Sequence, residues 1–137
     1  MDQTHDYAAR ARAFFAAQDR LHGGPDPDLC ATGYKAWLGG WPAMPREGHE
    51  AFAAAFYAGF PDIFHTVDDV FVTGDRAAVR FTLRGTHTGS FMGIPPSGRG
   101  VVVVANVLMR FEDGKVAELF GVFDEAGLLR QIGVLPS

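Results

Sequence analysis

The order of the predicted elements constrains this fold most, because helices come first and long strands follow. Residues 5–22 and about 47–58 carry apolar side chains at helical spacing, and Thr4 is a plausible cap for the first helix. One face of that first helix is predicted to hold Tyr7, Ala11, Phe14 and Leu21. Strands are predicted over 64–72, 76–88, 101–111 and 115–123, before a short closing helix over 125–132.

This order predicts an α+β fold: one curved antiparallel sheet wrapped around the N-terminal helices, with a cone-shaped cavity between them. Residues 28–30 predict a single helical turn and residues 34–38 a short strand. Segment 76–88 alternates cleanly, so Val79, Phe81 and Leu83 are expected on one face of the sheet. Segment 101–111 is apolar on both faces, which indicates a central or interface strand.

Length and composition favour one globular domain spanning residues 1–137 and exclude several classes of partner. Hydrophobic residues make up 47% of the chain, the net charge is −4, and the 12 basic residues are scattered, so no nucleic-acid partner is expected. No apolar run reaches the ~20 residues of a membrane span, and the N-terminus lacks the apolar core of a signal peptide. The single Cys30 fits a reducing compartment, so a cytoplasmic location is expected.

Several segments resemble a known family in their order and spacing. They are Phe60-Pro-Asp62, Gly85-Thr-His-Thr-Gly89, Gly93-Ile-Pro-Pro-Ser-Gly98, Arg110-Phe-x-Asp-Gly-Lys115, and Asp124 with 128–133. Together they resemble the SnoaL-like polyketide cyclases, also called ester cyclases, of the nuclear-transport-factor-2-like superfamily. The resemblance covers about residues 47–133.

The resemblance implies a cone-shaped α+β barrel that forms a homodimer through its sheet. It implies an enzyme that closes a ring of a hydrophobic polyketide ester by intramolecular aldol chemistry, without a metal or organic cofactor. The acid/base of such cyclases is an aspartate at the end of the last strand, and Asp124 falls on that position. A polar residue of the preceding strand assists, and Asn106 and Arg110 are the residues available there.

Asp124 itself has two interpretations from the residues alone. A carboxylate among Phe120, Val122 and Phe123 is costly unless it is paired, protonated or used in chemistry. Asp124 also directly precedes the closing helix, where aspartate is a favoured N-cap. Strand parity places Glu118, Phe120, Val122 and Asp124 on one face, so all four are candidates for the cavity.

Other polar residues also have a catalytic and a structural interpretation. His87 is either a proton shuttle at the cavity mouth or a loop histidine that hydrogen-bonds its turn. Asn106 binds either a substrate carbonyl or a neighbouring strand. His49 shares a helical face with Phe52 and Phe56 and either reaches the cavity or is a core histidine. Arg80 lines the cavity or lies on the outer face, and Glu118 pairs with Arg110 or Arg80.

Aromatic residues are predicted to form either the cavity wall or ordinary core. They are Tyr34, Trp37, Trp41, Phe56, Phe60 and Phe91. Trp41 lies in a Gly/Pro loop and Met92 in the loop Ser-Phe-Met-Gly, so both are candidates for a lid or mouth.

No Gly-rich phosphate loop, nucleophile elbow or close pair of metal-ligating histidines is present in the sequence. We therefore expect a cofactor-independent acid/base enzyme acting on a hydrophobic cyclic or aromatic carbonyl compound, with no metal. Cyclisation, isomerisation and dehydration all fit this expectation. The alternative is a non-catalytic domain of the same fold that binds a small molecule or serves as a dimerising accessory domain.

Overall fold

The computed structural model describes residues 6–136, which form three α-helices, one 3-10 turn and six strands. The helices are α1 (Tyr7–Leu21), α2 (Arg46–Gly59) and α3 (Glu125–Gln131). The strands are β1 (Cys30–Leu38), β2 (Met44–Pro45), β3 (Phe64–Thr73), β4 (Arg76–Thr86), β5 (Gly100–Glu112) and β6 (Lys115–Phe123). None of the helices formed by these residues is long and apolar enough to cross a membrane.

The α+β class is confirmed, and the sheet is mixed rather than purely antiparallel. Its strand order is β2-β1-β6-β5-β4-β3, and β3 to β6 form the predicted antiparallel meander. The exception is β1, which pairs with β6 in parallel. The short strand predicted over 34–38 is longer and begins at Cys30. Its first half was not predicted because the register of β1 against β6 is irregular there, which disrupts the alternation of buried and exposed residues. The helical turn lies at Pro27–Leu29, where Asp26 caps it, instead of at 28–30.

The first helix begins two residues later than predicted. Asp6 caps α1 by accepting a hydrogen bond from the N–H of Ala9, whereas the predicted cap Thr4 lies outside the described residues. Leu21 was placed wrongly on the buried face, since it ends the helix and is exposed. The buried stripe is Ala11, Phe14, Phe15, Ala17 and Gln18.

The two faces of the sheet differ in what covers them. Val79 and Phe81 of β4 share one face as predicted, and with Val107 of β5 they are buried against Phe14 and Phe15 of α1. The opposite face of β5 is apolar but exposed. It presents Val102, Val104 and Leu108 to the outside. The helices therefore enclose a space on the inner face and leave the outer face open.

Candidate functional site

The space between the helices and the inner face of the sheet is an apolar cavity of about 90 Å³. Its walls include Phe15, Phe52, Phe56, Phe81, Leu119 and Phe123. Four residues with polar side chains also line it: Gln18 from α1, His49 and Tyr57 from α2, and His65 from β3. Polar groups in such a setting act through strong, weakly screened interactions. The cavity is therefore the place in this fold where acid/base chemistry can be concentrated.

His65 and Asp19 form a hydrogen-bonded dyad at the cavity wall. Nδ1 of His65 lies 2.8 Å from Oδ1 of Asp19, and the backbone N–H of His65 donates to Oδ2 of Asp19 at 2.8 Å. The phenol of Tyr57 donates to Oδ1 of Asp19, also at 2.8 Å. The rings of Phe15 and Phe81 pack on His65, with centroids 5.3 and 4.9 Å away. Backbone and side-chain contacts together thus fix the orientation of this imidazole.

The hydrogen bonds received by Asp19 keep it ionised. Burial by itself raises the pKa of Asp19, but the hydrogen bonds from His65, the charge of His65 and the hydrogen bond from Tyr57 outweigh it and lower the pKa. An ionised Asp19 can only accept, so Nδ1 of His65 carries a proton. The lone pair of a neutral His65 then lies on Nε2, which has no protein partner among residues 6–136. His65 therefore has the orientation and tautomer of a general base facing the cavity.

His49 is the second histidine of the cavity, and it stays neutral. Its Nδ1 lies 2.8 Å from the hydroxyl of Tyr34, and both side chains are buried. Burial, with a smaller contribution from His65, lowers the pKa of His49 to about 4. Burial raises the pKa of Tyr34, so the phenol keeps its proton and can donate it to Nδ1. In that arrangement Nε2–H of His49 is a neutral donor. His49 thus borders the cavity and is at the same time a hydrogen-bonded core histidine, so the structure shows features of both interpretations.

Aromatic side chains at the mouth of the cavity come from two loops and α2. A small adjoining hollow of about 50 Å³ is lined by Trp41, Phe91 and Met92, among others. Trp41 and Met92 are half exposed, while Phe91 is buried against Phe56 at a centroid distance of 5.1 Å. Phe52, Phe56 and Phe123 line both spaces, so the hollow lies directly beside the cavity. The structure thus places Trp41 and Met92 where the sequence predicted a lid.

Asp124 does not face the cavity, which corrects the central site prediction. It is exposed and caps α3, accepting a hydrogen bond from the N–H of Gly127 at Oδ1 over 2.9 Å. Of the two interpretations of Asp124, the structure therefore agrees with the helix N-cap. Parity misled the prediction because the residues it groups with Asp124 point outward.

Most residues assigned to the cavity by that parity lie on the outer face of the sheet. Phe120 and Val122 are exposed there, although Val122 also borders the cavity, and Trp37 stacks on Phe120 with ring centroids 4.5 Å apart. Asn106 is exposed on the same face of β5. These side chains lie on the outside because the buried positions are the odd-numbered ones of β5 and, from residue 117 onward in β6, residues 117, 119 and 121.

The charged residues of the outer face pair with each other. Arg110 donates to Glu118 and Glu112, each at 3.0 Å, so one of the two predicted pairings of Glu118 is confirmed. Arg80 donates from Nε to Asp69 at 2.9 Å. Arg80 thus lies on the outer face, which was one of its two interpretations, and Glu118 forms an ion pair there. The interpretations that place Arg80 and Glu118 in the cavity, and Arg110 beside a cavity acid/base, do not fit this geometry.

His87 and Phe60 form a separate buried contact beneath the 87–99 loop. Nδ1 of His87 accepts a hydrogen bond from the N–H of Ser97 at 3.0 Å, so the proton of a neutral ring lies on Nε2. The rings of His87 and Phe60 pack with centroids 5.1 Å apart, and both side chains are fully buried. Neither lines the cavity. The interpretation of His87 as a loop-organising histidine fits this geometry, and the proton-shuttle interpretation does not.

Gln18, Asp19 and His65 were not among the predicted site residues. Gln18 could have been found as a polar residue at i+4 from Phe14, within the apolar stripe of α1. No local pattern joins Asp19 to His65, which lies 46 positions further along the chain. Burial raises the pKa of the Cys30 thiol to about 12, which removes it as a nucleophile. No cluster of metal-ligating side chains occurs among residues 6–136.

The three helices and the curved six-stranded sheet that enclose this cavity match the nuclear-transport-factor-2-like fold. Within that fold class, the family model described as SnoaL-like polyketide cyclase matches residues 30–132. The chain belongs to the SnoaL-like polyketide cyclase family. The predicted family is thus confirmed, and the match begins earlier in the chain than the resemblance indicated.

Solved structures from three Streptomyces species are similar over almost the whole chain. TsrD from Streptomyces laurentii is 32% identical, with 94% of this chain and 96% of TsrD covered and a TM-score of 0.78. Wild-type IdmH from Streptomyces antibioticus is 30% identical, with 95% and 100% covered and a TM-score of 0.84. AclR from Streptomyces galilaeus is 27% identical, with 95% and 86% covered and a TM-score of 0.84. The comparison with curated proteins found no match.

Proposed function

We propose that this protein is a cofactor-independent acid/base enzyme that acts on a hydrophobic cyclic or aromatic carbonyl compound, with His65 as the base. The observation that carries the proposal is the Asp19–His65 dyad, which presents an unpartnered imidazole nitrogen to an apolar cavity. IdmH, a similar protein, is itself described as a proposed polyketide cyclase. AclR is described as a proposed hydroxylase, so fold similarity alone does not select the reaction.

The proposed chemistry begins with a proton on a carbon next to a carbonyl group. Nε2 of His65 takes that proton, the C–H electron pair forms the carbon–carbon double bond of an enolate, and the carbonyl electron pair moves to oxygen. In an intramolecular aldol reaction the enolate carbon then attacks a second carbonyl of the same molecule. The resulting alkoxide takes the proton back from His65. Asp19 stabilises the imidazolium ion between these two steps.

The size of the cavity bears on how a substrate would enter. Pockets that hold drug-sized ligands usually measure about 300 Å³ or more, and this cavity measures about 90 Å³. A ligand of several rings would therefore have to displace side chains at the mouth. Trp41 and Met92 are the half-exposed residues best placed to move.

A minimal assay for this proposal does not require the natural substrate. 2-Indanone is a compact aromatic ketone whose α-hydrogens exchange with deuterium when a base removes them. In D₂O we expect the protein to accelerate this exchange over buffer, measured by proton NMR. An absence of acceleration, with binding of 2-indanone demonstrated, would favour the alternative of a non-catalytic binding domain.

Asp124 provides the control for that assay. Because asparagine also caps helices well, Asp124→Asn should leave both the exchange rate and the stability nearly unchanged. Asp124→Ala should keep the exchange rate but lower the free energy of unfolding by about 1 kcal/mol, measured by urea titration. A large loss of exchange in Asp124→Asn would restore Asp124 as the acid/base of this protein.

We also propose that the protein forms a homodimer through the outer face of its sheet. The proposal rests on the apolar side chains exposed there together, with Val122 60%, Leu108 58% and Phe71 69% exposed. Apolar surface concentrated on one sheet face is typical of an interface rather than of free surface. The groove on this face also exposes Arg80 and Asn106, so a partner would meet polar groups beside the apolar ones.

A charge placed on the outer face should prevent this dimer. Val122→Glu would bury an unpaired carboxylate in each half of the interface, so the dissociation constant should rise about 100-fold or more. The matched control is Leu21→Glu, because Leu21 is equally exposed but lies on α1. Light scattering after size exclusion should give a dimer for wild type and Leu21→Glu and a monomer for Val122→Glu. A monomeric wild type would refute the proposal.

A further inference from the structure

Gln18 lines the cavity and, like His49, takes no part in the Asp19–His65 dyad. It is 4% exposed and lines the cavity, yet its amide makes no hydrogen bond to any of residues 6–136. A buried amide left without partners is costly, so native proteins usually satisfy it with protein, water or ligand. Because this amide lines a mostly apolar cavity and has no protein partner among residues 6–136, it is available to bind a polar group of a ligand.

The position of Gln18 is fixed by the turn that follows α1. Gly24 adopts a φ of +133°, and a Cβ atom there would come within 2.7 Å of Cγ of Gln18. The backbone N–H groups of His22 and Gly23 both donate to the carbonyl of Gln18, which closes the helix end. The stem of the side chain is therefore confined between the helix end and this turn. Confinement lowers the entropy that Gln18 would lose on binding a ligand.

We propose that the amide N–H of Gln18 binds the carbonyl oxygen of the substrate and selects an oxygen-bearing ring over a hydrocarbon of the same shape. This inference rests on the proposed function, because it places the carbonyl in the cavity that contains the His65 base. The N–H group would hold the carbonyl oxygen in the ketone and the negative oxygen in the enolate. The substrate class is thus a cyclic ketone with an acidic C–H next to its carbonyl group.

Matched ligands and a matched variant test the role of Gln18. 2-Indanone and indane differ only in the carbonyl group, and Gln18→Met keeps the unbranched length of the side chain but removes the amide. Wild type should bind 2-indanone more tightly than indane, and Gln18→Met should reduce that preference about tenfold, as the loss of one buried hydrogen bond predicts. Affinities for both ligands are measured by NMR titration.

Thermal unfolding separates ligand binding from a structural role. Without a protein partner for the amide, Gln18→Met should unfold at the same temperature as wild type or a higher one. A lower unfolding temperature, or failure to fold, would show that the amide supports the fold and would overturn the proposal. An unchanged preference for 2-indanone over indane in a folded Gln18→Met protein would overturn it as well.

The two proposals fail in different ways in these experiments. If the preference is unchanged in Gln18→Met while wild type still accelerates deuterium exchange, the role of Gln18 is refuted and the acid/base function stands. If the preference falls but wild type accelerates no exchange, Gln18 recognises the carbonyl and the catalytic function is refuted.

Discussion

Replacing His65 with asparagine should slow the deuterium exchange of 2-indanone by about 100-fold or more, the usual contribution of a general base. The asparagine amide can still donate to Asp19 from nearly the position of Nδ1, but it has no atom that corresponds to the basic Nε2. The hydrogen bonds from Tyr57 and from the backbone N–H of residue 65 to Asp19 remain possible. The variant thus removes the base while preserving most of its surroundings.

The smaller side chain should also cost some stability, because the ring of His65 packs against Phe15 and Phe81. A loss of about 1–2 kcal/mol is expected from urea unfolding. Exchange rates are therefore compared at a pH and temperature where both proteins are more than nine-tenths folded. Exchange at the wild-type rate in folded His65→Asn would assign the chemistry to another group. If Asp124→Asn exchanges deuterium into 2-indanone at the wild-type rate, His65 remains the better candidate for the general base.

The fold was largely predictable because its signals are periodic and local. Alternation in β4, the turn at 112–114 and the helical spacing of α2 each lie within a dozen residues. The parallel pairing of β1 with β6 was not predictable in this way. Its partners lie more than 80 residues apart, and the irregular register of β1 weakens its alternation.

The site was much harder to predict because it depends on contacts between distant elements. The family resemblance indicated Asp124 as the acid/base. In the structure the carboxylate of Asp124 instead caps the short helix α3. A prediction of the site also needs to know which face of β6 points toward the cavity. The sequence does not decide this, because apolar residues occur on both faces of that strand. Asp19 and His65 become a pair only once α1 packs on β3, which no residue pattern in either segment specifies.

Acid should destabilise this protein well above the pH at which carboxylates titrate, because of His49. The pKa of an unfolded histidine is near 6.5, whereas burial lowers that of His49 to about 4 in the folded state. Between these values the unfolded chain binds one more proton than the folded chain, so stability falls as the pH falls. Each pKa unit is worth about 1.4 kcal/mol, so the full loss between pH 6.5 and 4 is roughly 3 kcal/mol.

His49→Asn isolates this contribution because it removes the titrating ring but keeps an acceptor near Nδ1 for the hydroxyl of Tyr34. Urea unfolding at pH 7 and pH 4.5 should show a loss of roughly 2–3 kcal/mol in wild type and a much smaller loss in the variant. Asp19, whose pKa is lowered in the fold, also loses its contribution as the pH falls, from the ordinary pKa of a carboxyl group down to its own lowered pKa. That loss is common to both proteins and cancels in the comparison. Equal losses in the two proteins between pH 7 and 4.5 would mean that His49 accepts its proton without unfolding, and would contradict its assignment as the neutral donor of the cavity.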